Sequence, residues 1–181
     1  GVIPGLAPLP GQADTRLPVP GGAEYSGEIA VAFNPPRGVG PGMAGTVVEA
    51  LKRARAKNPD FAMNGGNSMG IVLNGSKLNT FFIPEYKLAR PIGENPFHAK
   101  TAFVSQSGAF VISTMSKMPS LKPAYCVTVG NQQDITVPDY VESLAGEKDL
   151  KVILVYIEGF KPGDGLALAR VISKARANGK Q

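Results

Sequence analysis

Beyond residue 98 the apolar positions of the chain come in short unbroken runs, TAFVS, AYCVTVG and KVILVYI. Each run is followed by a helix-compatible stretch: Ala109 to Met118, Pro138 to Leu144 and Gly165 to Ala177. Strands that are apolar with almost no alternation are buried on both faces, and strands alternating with helices predict a parallel sheet covered on both sides. The fold class expected is therefore α/β. Upstream the pattern is less regular. EIAVAF, Glu28 to Phe33, predicts a strand, and Ala44 to Lys57 an amphipathic helix with Val47, Val48, Leu51 and Ala54 on one side and charges opposite. FAM and GIVL predict two short strands flanking a Gly/Asn loop, and TFFIP, Thr80 to Pro84, is a further apolar run ended by proline.

Glycine and proline change this picture at two places. Gly1 to Gly22 repeats Pro-Gly and cannot be a regular element, so it reads as an extended or turn-rich arm. EYKLARPIGENPFHAK is polar and punctuated by proline, and a domain boundary is expected near Phe97, dividing the chain into 1–97 and 98–181. The last helix runs into NGKQ, where a turn would feed a fourth strand, as in a fragment or a split subunit with an incomplete second domain.

Charge and composition narrow the function classes. The formal net charge of +5 is spread along the chain except for KRARAK at Lys52 to Lys57, and there is no Trp. That suits an anionic small ligand better than nucleic acid, which is not expected as a partner. Cys126, the single cysteine, cannot form an internal disulfide and lies in an apolar run, consistent with a reducing, cytoplasmic setting. No stretch approaches the roughly 20 apolar residues that span a bilayer, and the first residues do not read as a signal peptide. Neither a membrane nor a bound metal is expected, since one His and one Cys cannot make a His/Cys cluster.

Ligands of parallel sheets gather at the carboxyl ends of the strands. Three loops fall there: SQSG at Ser105 to Gly108, GNQQD at Gly130 to Asp134, and EGFKPGD at Glu158 to Asp164. Ser105 or Ser107 suits a helix cap, while Gly108 removes a Cβ where a phosphate could sit; cap and anion site remain equal readings of this loop alone. It has neither the lysine of a GxxxxGK[ST] loop nor a GxGxxG pattern. Asn131 suits a phosphate or an amide, and Glu158, at a strand end, suits either solvent or the orientation of a histidine. His98, the only histidine, lies away from every expected strand end. No Asp/His set follows SQSGA in hydrolase order.

In order and spacing these segments resemble the CoA-binding (α) part of the nucleoside-diphosphate-forming acyl-CoA synthetases, the family of succinyl-CoA synthetase and ADP-forming acetyl-CoA synthetase. AFVSQSGAF, Ala102 to Phe110, is similar to the strand-to-helix segment that begins the family's second domain. VTVGNQQDITVPDYVESLAGEKDLKVILVYIEGF, Val127 to Phe160, follows its GN-x-x-D loop, helix, acidic turn and strand ending in Glu-Gly. GGNSMGIV, Gly65 to Val72, resembles the Gly-Pro-Asn-Cys-x-Gly loop that closes its CoA-binding domain, and TFFIP the apolar stretch after it.

The resemblance implies a remnant of a Rossmann-like CoA-binding domain followed by a partial flavodoxin-like domain. It implies CoA as cofactor and an acid–thiol ligase reaction through an acyl phosphate and a phosphohistidine. ATP or GTP with Mg2+ would enter through an ATP-grasp β domain or subunit, with a small acyl substrate; a homo-oligomer is compatible with it. Gly66, Asn67 and Ser68 would lie near CoA; Ser105, Ser107 and Gly108 would help hold the phosphohistidine, and Glu158 would orient it. The chain departs from the pattern in three ways. Gly66 and Ser68 replace the family's proline and cysteine, the N-terminal glycine-rich CoA loop is not recognisable in Gly1 to Gly22, and His98 does not match the family histidine, which belongs to a later segment. The expectation is a chain that does not complete catalysis alone, the alternative being a noncatalytic CoA- or nucleotide-binding regulatory module.

Overall fold

The computed structural model describes residues 29–31, 42–76, 78–83, 99–118 and 120–181. The expected arm at Gly1 to Gly22, the boundary near Phe97 and His98 lie outside them. A first unit is strand β1 (Ile29–Val31), helix α1 (Gly42–Lys57) and strand β2 (Ala62–Asn64), with β1 and β2 paired in parallel. Then come β3 (Ile71–Leu73), β4 (Leu78–Asn79), β5 (Ala99–Ser105), α2 (Gly108–Lys117), β6 (Pro123–Thr128), α3 (Val137–Ala145), β7 (Val152–Tyr156) and α4 (Asp164–Ala177). Each expected strand and helix after residue 98 is present, with ends shifted by one or two residues.

A five-stranded sheet runs β4-β3-β6-β5-β7. β5 is parallel to both β6 and β7. It is flanked on both edges, and Ala102, Phe103 and Val104 on it are buried. Because β6 and β7 lie on opposite sides of β5, right-handed crossovers place α2 and α3 on opposite faces. The packing follows that rule. Phe103, Cys126 and Val111 of α2 form one apolar cluster, and Val104, Val127, Val141 of α3 and Val171 of α4 belong to the other. Each fully buried valine contributes about 1.5–3 kcal/mol relative to exposure. The mostly parallel sheet between helical layers matches the flavodoxin-like arrangement expected.

The upstream strands add something the local pattern does not show. β3 pairs antiparallel with β6, with Val72 opposite Cys126, and β4 pairs antiparallel with β3. GIVL is thus built into the same sheet as AYCVTV. After β4, Phe81 and Ile83 pack on the α2-side cluster while Phe82 between them is exposed. At the opposite edge the main chain of Gln181 lies beside β7: its N–H donates to the Lys151 carbonyl at 2.8 Å and its carbonyl accepts the Ile153 N–H at 2.9 Å. The Lys180 ammonium, buried, donates to the Glu147 and Leu150 carbonyls and fastens this end beneath the α3–β7 turn.

Burial also sets a pH dependence. It pushes the Cys126 thiol from its ordinary 9.0 up to about 12. The Tyr125 phenol rises from 10.0 to about 12, through burial first and then Glu147, which accepts its hydrogen bond at 3.2 Å. Between the unfolded and folded values the unfolded chain releases protons that the folded chain keeps, so stability falls as pH rises. Urea midpoints should be flat up to about pH 9 and then decline towards pH 11, less steeply in Cys126→Ala. Iodoacetamide at pH 8 should leave native Cys126 unmodified and label it once urea unfolds the chain.

Candidate functional site

Four loops meet at the carboxyl end of the parallel strands. Those after β5, β6 and β7 belong there by strand direction, and the loop before β3 joins them because β3 runs antiparallel to β6. Since β6 and β7 leave β5 in opposite directions, the β5–β7 crevice is a topological switch point, where helices turn to opposite faces and leave space for ligands.

The GGNS loop is seated on the end of β6 through buried polar groups. The Ser68 hydroxyl donates to the Thr128 carbonyl at 2.6 Å, and the Asn64 side-chain amide donates to the same carbonyl and to Ser68 Oγ, each at 2.9 Å. Thr128 Oγ1 accepts the Met69 and Gly70 N–H groups. Ser68 is only 2% exposed, and Asn64 and Thr128 are fully buried. Asn64 Oδ1 is buried without a hydrogen-bond partner among the described residues. This seating positions the rest of the loop over GNQQD. The Gly66 carbonyl accepts the Asn131 N–H at 2.7 Å, and the Gly65 carbonyl the Gln133 N–H at 2.8 Å. Asn67 stands at φ 56 with its side-chain amide 3.5 Å from Asn131 Oδ1, and both residues are exposed.

Asp134 fixes the other side of this loop pair. Its carboxylate accepts the Met63 N–H at 2.7 Å and pairs with the Arg55 guanidinium of α1, which also donates to the Phe61 carbonyl, so KRARAK contributes specific contacts as well as a solvated face. Burial, then the charges of Asp139 and Asp134, holds the Tyr140 phenol in its neutral form well above the ordinary range.

SQSG begins α2 by local capping. Ser107 is the N-cap and its hydroxyl accepts the Phe110 N–H at 3.3 Å. Ser105, fully buried, donates its hydroxyl to the Ser107 carbonyl and accepts the Ser107 N–H. A Cβ at Gly108 would stand 2.7 Å from that of Met69, so the missing side chain lets the GGNSM loop pack on the start of α2. The N–H groups of Gly108 and Ala109 have no hydrogen-bond partner among the described residues, and they are the donors this turn offers to an anion.

Glu158 is exposed at the end of β7. Its N–H and that of Gly159 both donate to Gln106 Oε1, at 2.8 and 3.1 Å, so Gln106 closes the crevice between β5 and β7. Lys161 reaches the other way and its ammonium donates to the Gln132 carbonyl. The structure therefore brings together Gly66, Asn67, Ser68, Ser105, Ser107, Gly108, Asn131 and Glu158 around one end of the sheet. Sequence reading missed Gln106, Lys161 and the Arg55–Asp134 pair. Gln106 and Asp134 were inside motifs already singled out, but their partners are distant in sequence. Among the described residues no group of three or more His, Cys, Asp or Glu is placed to hold a metal, and no helix is long and apolar enough to cross a membrane.

Residues 98–181 match the succinyl-CoA ligase like flavodoxin domain. Over 138 residues the chain is 30% identical to the alpha subunit of acetate–CoA ligase (ADP-forming) I of Pyrococcus furiosus, which covers 75% of this chain and 28% of that subunit. The chain belongs to the nucleoside-diphosphate-forming acyl-CoA synthetase family, on its alpha side. A single-name acetate–CoA ligase (ADP-forming) of Methanocaldococcus jannaschii is 28% identical over 123 residues, 67% of this chain and 16% of the relative. In three dimensions the chain is similar to the acetyl-coenzyme A synthetase 1 of Ca. Korarchaeum cryptofilum solved with phosphate and ADP. That likeness has a TM-score of 0.63 at 25% identity, over 82% of this chain and 30% of the other. The chain thus spans less than a third of the length of each of these relatives.

Close loop packing predicts unequal costs for added methyl groups. At Gly130, φ is 55 and a Cβ would stand 2.2 Å from the Gly66 carbonyl oxygen, so Gly130→Ala should cost about 2–4 kcal/mol in urea denaturation. At Gly159 nothing lies within 4 Å, and Gly159→Ala should change stability by no more than about 0.5 kcal/mol.

Proposed function

We propose that this chain supplies the CoA-side loops and part of the phosphohistidine cradle of an ADP- or GDP-forming acyl-CoA ligase. One observation carries the reading: the family-like GGNS, SQSG, GNQQD and Glu-Gly loops, separate in sequence, interlock at the switch-point end of one sheet. The β1-α1-β2 unit fits a remnant of a Rossmann-like CoA-binding domain, preceding a flavodoxin-like domain from residue 98.

The residues present fit a phosphoryl group. Gly108 and Ala109 offer amides without a partner among the described residues at the positive end of α2, where a helix favours an anion. CoA would meet exposed Asn67 and Asn131 beside Gly66, with Ser68 holding the loop in place from below. Glu158 would accept a hydrogen bond from the imidazole and orient it. The histidine itself would come from outside this chain, since His98 precedes β5 and no other histidine is present. ATP or GTP with Mg2+ would be bound by an ATP-grasp partner; its γ-phosphoryl group would pass to the histidine with release of ADP or GDP, and from the histidine to the carboxylate of the acyl substrate. The 181 residues alone would then bind without turning over. The same lack of a matching histidine favours a second reading, a noncatalytic CoA- or nucleotide-binding module.

Calorimetry of the chain with CoA should show saturable binding, and its absence removes the CoA assignment. Assembly with the histidine-bearing segment and the ATP-grasp partner should transfer label from γ-labelled ATP to histidine. Binding without labelling selects the noncatalytic module. In the labelled assembly Glu158→Gln should slow transfer about a hundredfold while leaving CoA affinity unchanged.

A further inference from the structure

We propose that Gln106 is a positioning residue for Glu158: by gripping the turn after β7 it keys the Glu158 carboxylate to the head of α2. The inference rests on reading Glu158 as the carboxylate that orients a histidine. It adds the residue that decides where that carboxylate stands.

Gln106 has a fixed base. Ser105 and Ser107 on either side of it are joined by two bonds, since the Ser105 hydroxyl donates to the Ser107 carbonyl at 2.7 Å and accepts the Ser107 N–H at 3.1 Å. The Gln106 N–H donates to the Tyr156 carbonyl at 2.9 Å, one step beyond the Ser105–Tyr156 rung of the β5–β7 ladder. Its backbone is thus held at the point where β5 passes into α2. From that base one side-chain oxygen accepts two consecutive amides of the facing chain, Glu158 at 2.8 Å and Gly159 at 3.1 Å. Successive N–H groups converge on one acceptor where a strand has stopped and the chain turns. The grip therefore fixes the end of β7 as well as its distance from α2.

Glu158 depends on that grip. Its side chain is exposed and takes part in no hydrogen bond or ion pair among the described residues, so the backbone beneath it decides where the carboxylate can reach. Upstream, Ile157 packs on the α3-side cluster. Downstream, a Cβ at Gly159 would meet nothing within 4 Å, and Phe160 is 57% exposed. The next anchors come at Lys161, whose ammonium donates to the Gln132 carbonyl and whose N–H donates to Asp164 Oδ2 at 3.2 Å. A glycine in open space supplies no restraint of its own. Without the Gln106 oxygen the turn could swing between Ile157 and Lys161, and a carboxylate held in place part of the time loses effective concentration at the imidazole.

The test is a double-mutant cycle in the assembly with the histidine-bearing segment and the ATP-grasp partner, reading transfer of label from γ-labelled ATP to histidine. Gln106→Met keeps the length and removes the carboxamide oxygen. It should slow transfer about tenfold, with the ATP concentration for half-maximal rate unchanged, yet slow it less than about twofold in a Glu158→Gln background, because residues that act as one unit are not additive. In the 181-residue chain Gln106→Met should speed hydrogen exchange at the Glu158 and Gly159 amides while Phe103 and Val104 on β5 stay protected. Gln106→Glu, which retains an acceptor oxygen, should restore slow exchange at both. An equal cost in both backgrounds overturns the inference, since Gln106 then acts independently of Glu158. So does a labelling rate that Gln106→Met leaves unchanged, and so does loss of protection along β5, which marks a structural strap. In each of these cases a labelled wild type leaves the ligase reading standing. No label in wild type rejects that reading and the inference together.

Discussion

The Thr128 peptide and hydroxyl are satisfied almost entirely by residues some sixty positions upstream, and the rest of the site depends on that fact. Thr128 lies fully buried at the last position of β6, where a lone hydroxyl without partners would be costly. Ser68, Met69 and Gly70 provide those partners, with Asn64 behind them. Seating the loop there fixes the start of β3 and its antiparallel register on β6. It also sets Gly65 and Gly66 against Asn131 and Gln133, and Met69 against Gly108. One buried polar junction therefore decides where three of the four loops stand.

The second constraint is topological. A central parallel strand whose two neighbours are reached by crossovers of the same hand must have helices on both faces, and the crevice between the diverging connections opens beside β5. In this chain the crevice is partly closed from within. Gln106 occupies the Glu158 and Gly159 amides, and Ser107 occupies that of Phe110. What remains open to an incoming group is the first turn of α2, the exposed Asn67 and Asn131 pair and the Glu158 carboxylate.

Much of this arrangement was legible in the sequence, and the part that was not has a common cause. Unbroken apolar runs such as AYCVTVG read as buried strands, and Ser107 before a helix-compatible run reads as a local cap, so the elements from β5 to α4 follow from short-range chemistry; KVILVYI reads as buried in the same way, yet β7 is the last strand of the sheet and leaves Leu154 and Val155 exposed. GIVL was equally legible as a strand. Its antiparallel pairing with AYCVTV was not, because the register is chosen by Thr128 and Cys126 more than fifty residues away. The same holds for Arg55 with Asp134 and for Lys161 with Gln132. Each residue reads locally as a solvated charge, and only the fold brings its partner within reach.

Ser105, Ser107 and Ser68 show how a family-like motif divides its labour. All three stand in segments that resemble a ligand site, yet their hydroxyls are spent within the protein: Ser105 on the Ser107 backbone, Ser107 on Phe110, Ser68 on Thr128. Small hydroxyl residues suit such positions because they satisfy a buried or terminal backbone group without filling the space in front of it. The surface they leave is lined by backbone N–H groups at the head of α2, and recognition there would depend on where the turn is held, not on a reactive serine. Substitution of Gly66 and Ser68 for the family's proline and cysteine is compatible with that division. Ser68 makes the buried contact to Thr128, and Gly66 offers its carbonyl to Asn131.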